Sequence, residues 1–162
     1  MKTLLVVYHS ATGGTRQMVE AAARAAVEPE VMVRLLTAAE ACANDMVAAD
    51  GYIFATPENL AAMAGAMKDF FDRAYYPVLE RINGRPYAAL ICAGSDGQNA
   101  ARQIQRIVTG WRLRAIAPAL IVCTHAQSPE AIMAAKTIGA ADLHRCAEIG
   151  ATLAAGLAAG IF

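Results

Sequence analysis

Three hydroxyl residues, Ser10, Thr12 and Thr15, surround two glycines in the stretch Tyr8-His9-Ser10-Ala11-Thr12-Gly13-Gly14-Thr15-Arg16. An apolar run, LLVVY at 4–8, precedes it, and a helix-like segment, QMVEAAARAAV, follows it. Glycine permits positive φ and a close backbone approach. Unpaired N–H groups at a helix N-terminus, together with the positive end of the helix dipole, receive anions. The stretch can therefore hold a phosphate through hydroxyls and amides. It can also be a plain strand-to-helix turn with Thr15 as N-cap. It matches neither G-x-x-x-x-G-K-[ST] nor G-x-G-x-x-G, so the P-loop and dinucleotide fingerprints are absent.

The elements that must position such a loop alternate along the chain. Apolar runs of strand length stand at 4–8, 31–36, 51–56, 87–93 and 119–124, and four of them are almost continuously apolar. That is the pattern of strands covered on both faces. Helical candidates lie near 15–27, 38–48, 61–80 and 97–112, with one or two more from 129 to the end. Asn83-Gly84-Arg85-Pro86 is a turn feeding the fourth strand. Repeated strand–helix alternation implies right-handed crossovers and one parallel sheet. No linker, repeat or charge block divides the chain, so residues 1–162 are expected to form a single domain. In an open α/β sheet, ligands sit beyond the carboxyl ends of the strands. The loops that matter therefore start at His9, Thr56, Ala93 and His125.

Composition narrows the partner. With 14 basic and 14 acidic residues the formal charge is zero, which gives no field toward nucleic acid or an anionic membrane. A small molecule is the expected ligand. Cysteines 42, 92, 123 and 146 form no C-x-x-C pair and no metal cluster, and they read as free thiols in a reducing cytosol. The N-terminus reads as a first strand and not as a secretory signal. The uncharged run from Ile149 to Phe162 has 14 residues, fewer than the roughly 20 that span a bilayer. A buried helix is expected there. Its Gly156-x-x-x-Gly160 spacing suits helix packing or the approach of another backbone.

Ser10-x-Thr12-Gly13-x-Thr15 after the first strand resembles the [ST]-x-T-G-x-T phosphate-binding loop of flavodoxin-like proteins. Residues 48–73, AADGYIFATPENLAAMAGAMKDFFDR, are similar to the third strand, second flavin loop and third helix of flavodoxin-like reductases. These include the tryptophan-repressor-binding-protein type and the NADPH-dependent FMN reductases. Gly65, Met67, Lys68, Phe70 and Asp72 match the G-x-[ML]-K-x-F-x-D-like segment of that helix. Ala93-Gly94-Ser95-Asp96-Gly97 resembles the Gly-rich loop that contacts the flavin pyrimidine. The chain departs from electron-carrier flavodoxins in its neutral charge and in having no aromatic residue within Thr56–Met63 or Ala93–Gln98. The insertion of long-chain flavodoxins in the fifth strand is also missing.

The resemblance implies a flavodoxin-like three-layer α/β sandwich with five parallel strands in the order 2-1-3-4-5. FMN would be held by Ser10, Ala11, Thr12, Gly13, Gly14 and Thr15, by Thr56, Pro57, Glu58, Asn59 and Leu60, and by Ala93, Gly94, Ser95, Asp96 and Gly97. Amides from Gly94 to Gly97 would stabilise negative charge on a reduced flavin. Asp96 has either a flavin contact or an Asx-turn role. The implied activity is NAD(P)H-dependent transfer through FMN to a quinone or similar acceptor. The alternatives are a single-electron carrier and a non-catalytic partner-binding domain. No catalytic side chain and no metal ligand is assigned. His9 and His125 stand at strand ends, where they can donate protons or bond within their loops. His144 and Arg16 read as ordinary helix residues, and the Met63, Met67, Phe70, Phe71 group reads as core. The protein is expected in the cytoplasm, and the apolar C-terminal helix is the candidate contact of a homo-oligomer.

Overall fold

In the computed structural model, which describes residues 1–162, strands and helices alternate from the first residues onward. The order is β1 (Lys2–Tyr8), α1 (Gly14–Ala25), β2 (Val31–Thr37), α2 (Ala43–Ala48), β3 (Gly51–Asn59), β4 (Ala62–Met63) and α3 (Gly65–Val78). Then come β5 (Pro86–Ala93), α4 (Gln98–Gly110), β6 (Arg114–Ala115), β7 (Leu120–Cys123), α5 (Pro129–Met133) and α6 (Ala140–Ala159). The main strands are parallel and lie in the order β2-β1-β3-β5, with β6 and β7 both pairing along the outer side of β5. This is the expected 2-1-3-4-5 order with the fifth strand split in two. β6 pairs Pro86 and Tyr87, and β7 pairs Leu90 to Ala93. The chain leaves the sheet between them around Pro118, which has no N–H to offer the ladder.

Apolar residues run without interruption in β1 because helices cover both faces of the sheet. Leu4, Leu5, Val6 and Val7 are fully buried, and the period of two sends them to opposite sides. Leu5, Val7, Tyr52 and Phe54 join a core of 23 buried residues with α2, α3 and α4. Leu4, Val6, Ile53 and Ala55 join a core of 21 with α1 and α6. The first core is aromatic. Phe54 lies 5.3 Å from Phe71 and 5.8 Å from Tyr52, and the ring of Trp111 packs 5.7 Å from Phe71. The Trp111 indole N–H donates to Tyr75 O at 3.0 Å, which satisfies the polar end of a buried ring. Met63, Met67, Phe70 and Phe71 all belong to this core.

The short helix α2 is held at both ends by side chains. Asp45 accepts from the Cys42 N–H at 2.9 Å and from Arg34 on β2 at 2.7 Å. Arg85 donates to the carbonyls of Val47, at 2.8 Å, and of Ala49, and to the Tyr52 hydroxyl at 3.1 Å. Burial pushes the Tyr52 phenol up to about 12.

Two expected helices are markedly shorter than their sequence pattern, and the C-terminal region takes the two-helix form of its expectation. The segment 38–48 is helical only from Ala43, because Thr37 and Glu40 hydrogen-bond across a turn. The segment 61–80 begins as a hairpin: β3 runs on to Asn59, reverses at Leu60 and Ala61, and returns as β4. Both reversing residues have positive φ, 49° and 61°, the conformation that two-residue hairpin turns require. The C-terminal region forms α5 and α6 separately.

The apolar face of α6 is used within the chain. Cys146, Leu153, Ala154 and Leu157 lie in the second core, and a side chain at Gly150 would run into the Ala22 carbonyl on α1. Gly156 is covered by the Phe162 ring, and Gly160 closes the helix in the left-handed conformation. Of the Gly156-x-x-x-Gly160 pair, Gly156 therefore packs within the chain and Gly160 ends the helix, and the buried apolar face is not available as the contact of an oligomer. No helix is long and apolar enough to cross a membrane.

Candidate cofactor site

The loop between β1 and α1 presents donors with nothing to receive them. Gly13, at φ +91°, turns the chain into the helix. Gly14 is constrained by space instead, since a Cβ there would lie 2.6 Å from the Cys92 sulfur. Ser10 Oγ accepts from the N–H of Gly13 at 3.2 Å and of Arg16 at 3.3 Å, so Ser10 performs the capping expected of Thr15. Thr15 lies inside the first turn, where its Oγ1 is the one buried side-chain polar atom without a partner. The N–H groups of Thr12, Gly14 and Thr15 also donate to no group in the chain. A buried hydroxyl lacking its bond is costly, and this one stands where backbone N–H groups converge at a helix N-terminus.

The second and third loops are fastened to each other. Glu58, near the end of β3, accepts from the Gly97 N–H at 2.8 Å and from the Ala100 N–H at 3.1 Å. Its carboxylate therefore caps α4, whose own cap position, Gly97, has no side chain. Asn99 donates to Ala61 O at 2.6 Å and Gln103 accepts from the Met63 N–H at 2.8 Å. Thr56 is fully buried, and its hydroxyl accepts from the Ala64 N–H at 3.0 Å, closing the base of the hairpin. In the third loop the N–H groups of Gly94, Ser95 and Asp96 have no acceptor in the chain, whereas that of Gly97 is taken by Glu58. The expected run of four amide donors is therefore three. The Asp96 side chain makes no hydrogen bond, so it forms no Asx-turn, and it is exposed.

Between these loops lies a cavity of about 370 Å³. Of the residues expected to hold the cofactor, Thr12, Pro57, Glu58, Asn59, Leu60, Ala93, Gly94 and Ser95 line it. Ser10, Ala11 and Gly13 line an adjoining hollow of about 240 Å³ with Tyr8, His9, Arg16 and Thr37. Gly14 and Thr15 are buried at the base of the loop. Thr56, Asp96 and Gly97 line neither space, for the reasons of burial, exposure and capping given above. Ala61, Cys92, Ala126, Gln127, Ile132 and Lys136 line the larger cavity and were not read from the sequence. Cys92 had a readable signal, since it ends the fourth apolar run beside Ala93. Burial pushes its thiol above the usual value, against the pull of Lys136. The cavity wall carries no aromatic residue.

Neither loop histidine forms a side-chain bond. His9 faces the smaller hollow. His125, at φ 60°, is exposed, and its backbone N–H donates to Gly94 O at 2.8 Å, tying the fifth-strand loop to the third. Arg16 is exposed, 3.7 Å from Glu20, and the Tyr8 hydroxyl raises its guanidinium. His144 is exposed beside Glu148. A larger cavity, about 520 Å³, opens between α4 and the split fifth strand, but it has no cluster of unpaired amides and hydroxyls. No group of side chains is arranged to hold a metal ion.

A parallel sheet in this order with donors gathered at its carboxyl edge is the architecture of the flavodoxin-like flavoproteins. Residues 34–128 match the family described as NADPH-dependent FMN reductase, and the chain belongs to that family. A flavodoxin from Aquifex aeolicus (strain VF5) is 34% identical over 98 residues, covering 60% of this chain and 53% of that protein. The match thus spans about half the length of that curated relative. Among solved structures, a flavodoxin from the domain Archaea superposes with a TM-score of 0.76 at 18% identity, over 96% of this chain and 99% of the other. A WrbA-like flavodoxin from Agrobacterium tumefaciens gives 0.73 at 19% identity, over 96% of each chain. The flavodiiron protein from Giardia intestinalis gives 0.78 at 17%, over 98% of this chain and 37% of that one. These structures share the fold.

FMN, the cofactor of flavodoxins and FMN reductases, fits the donor set. A phosphate needs several convergent donors and no competing carboxylate. The unpaired Thr15 hydroxyl and the three unpaired N–H groups of the first loop meet that need. The one acidic side chain on the cavity wall, Glu58, is already paired with α4.

Proposed function

We propose that this FMN-binding protein is an NAD(P)H-dependent oxidoreductase whose acceptor is a quinone or a similar small molecule. The observation that carries the reading is the cavity wall, a mixture of polar and apolar groups that is open and carries no aromatic residue. A wall of that kind leaves room for a second planar molecule beside the flavin, as a reductase with two successive substrates requires. FMN, when bound, supplies the hydride and electron chemistry.

The residues of the chain supply position and polarity. Thr12 and Thr15, with the N–H groups of Thr12, Gly14 and Thr15, would hold the phosphate. The N–H groups of Gly94, Ser95 and Asp96 would face the pyrimidine edge and favour negative charge there. Leu60, at the exposed tip of the hairpin, would shield the ring with an aliphatic surface. No side chain is assigned a proton-transfer role.

A single-electron carrier is the second reading, and the flavodoxin from Aquifex aeolicus favours it. Formal neutrality speaks against it, because carriers that dock on partner proteins gain speed from charge complementarity. The test begins with FMN, riboflavin and FAD titrated into the apo-protein, followed by NADH or NADPH with a quinone and no other protein present. Tight FMN binding with sustained nicotinamide oxidation is expected. Tight binding with no oxidation would leave the carrier reading. No flavin binding would leave a partner-binding domain. For the oligomer, a contact through surfaces other than the buried face of α6 is the remaining form of that proposal, and light scattering at micromolar concentration decides it.

A further inference from the structure

A segment outside the three flavin loops builds the fourth side of the cavity. From the end of β7 the chain passes through Ala126 and Gln127, forms α5, and returns to the phosphate loop at Lys136. There the Lys136 N–H donates to Thr12 O at 2.9 Å. Gln17 on α1 secures the same point, donating to Lys136 O at 2.7 Å and accepting from the Ile138 N–H at 3.0 Å. The Lys136 ammonium folds back over α5. It donates to the carbonyls of Ala131 and Ile132, both at 2.8 Å, and of Ala134, at 2.5 Å.

An ammonium has three donors, and here all three are taken up by the α5 backbone. Lys136 is therefore the only cation on the cavity wall, yet its donors are already engaged. A helix of five residues is not stable by its own hydrogen bonds, and α5 buries no residue in either core. Ser128 Oγ caps its first turn, accepting from the Ala131 N–H at 3.2 Å, and the Lys136 side chain is what joins its far end to the backbone point anchored by Thr12 and Gln17. Of its two exposed apolar residues, Ile132 faces the cavity and Met133 does not.

We propose that Lys136 is a positioning residue that holds α5 against the cofactor cavity, making Ile132 an apolar wall for the flavin ring and residues 126–136 a fourth flavin-binding segment. This rests on the reading that the ring occupies the 370 Å³ cavity. The wall acts on the ring system, which FMN and riboflavin share, and not on the phosphate.

Two measurements on the full chain test this. Lys136→Met should weaken FMN and riboflavin by the same factor, on the order of tenfold, as the hydrogen bonds of a charged group are lost. Lys136→Arg should recover part of that loss. Weakening of FMN alone would overturn the proposal and make Lys136 a counter-ion of the phosphate. Unchanged affinity for both flavins would overturn it as well. The second measurement uses exposed positions that leave the fold undisturbed. Ile132→Trp should quench the fluorescence of bound FMN below that of the parent protein, and Met133→Trp should not. Equal quenching by both variants, or by neither, would overturn the wall. Failure of the parent protein to bind any flavin would remove the reading beneath the proposal, an outcome distinct from binding that the variants leave unchanged.

Discussion

A buried hydroxyl without a partner costs about 1–3 kcal/mol, and Thr15 carries one at the phosphate loop. Thr15→Val keeps the shape of the side chain and removes that cost. The apo-protein is expected to resist urea equally well or better, by up to about 1 kcal/mol, while FMN binding weakens by about 1.5–3 kcal/mol through loss of a charge-assisted bond. Riboflavin binding should not change, which separates a phosphate contact from general damage. Unfolding curves and flavin titrations on the same variant read both effects. The hydroxyl pattern of this loop was legible because its residues are neighbours in the chain. Which hydroxyl caps the helix was not, because the choice between Ser10 and Thr15 depends on how far the loop folds back before α1 begins. Glu58 was legible as a loop residue and illegible as a cap, since its partner Gly97 lies 39 residues away.

Short elements here depend on side chains reaching them from elsewhere. Asp45 joins α2 to β2 through Cys42 and Arg34. Burial pushes its carboxyl up, but those bonds outweigh burial and hold it below the usual value. A depressed carboxyl contributes its stability above the unfolded value and loses it as the pH falls through the folded one. Asp45→Asn is expected to cost about 1–2 kcal/mol at pH 7. The gap to the parent protein should begin to close near about pH 4, the unfolded value of aspartate, and vanish in stronger acid. Urea midpoints measured from pH 7 to pH 3 show it directly. The long elements were legible from their apolar runs. The hairpin at Leu60 and Ala61 was not, because neither residue is the glycine or asparagine that marks a left-handed turn. The turn is held instead by Asn99 and Gln103 of α4, which no local pattern announces.

At the scale of the whole molecule, a ligand that binds only the folded chain raises its stability by mass action. At an FMN concentration 100 times its dissociation constant the gain is about 2.7 kcal/mol, or about 5–11 °C in midpoint for a chain of this size. A thermal melt with FMN beside one with riboflavin, at equal concentration, should show the larger shift for FMN. Equal shifts would mean that the phosphate contributes nothing. The strands were legible because a sheet covered on both faces writes itself as unbroken apolar runs, and their order followed from the resemblance to flavodoxin-like proteins. The division of the fifth strand was not, because Arg114 and Ala115 are exposed and form only a two-residue ladder. That division has a consequence for self-association. A long straight border of unpaired N–H and C=O groups invites another chain to add itself and begin a fibre. Here the border on the β5 side is two short pieces with Pro118 between them and Arg114 at one end, so an incoming strand finds no continuous ladder to extend on that side.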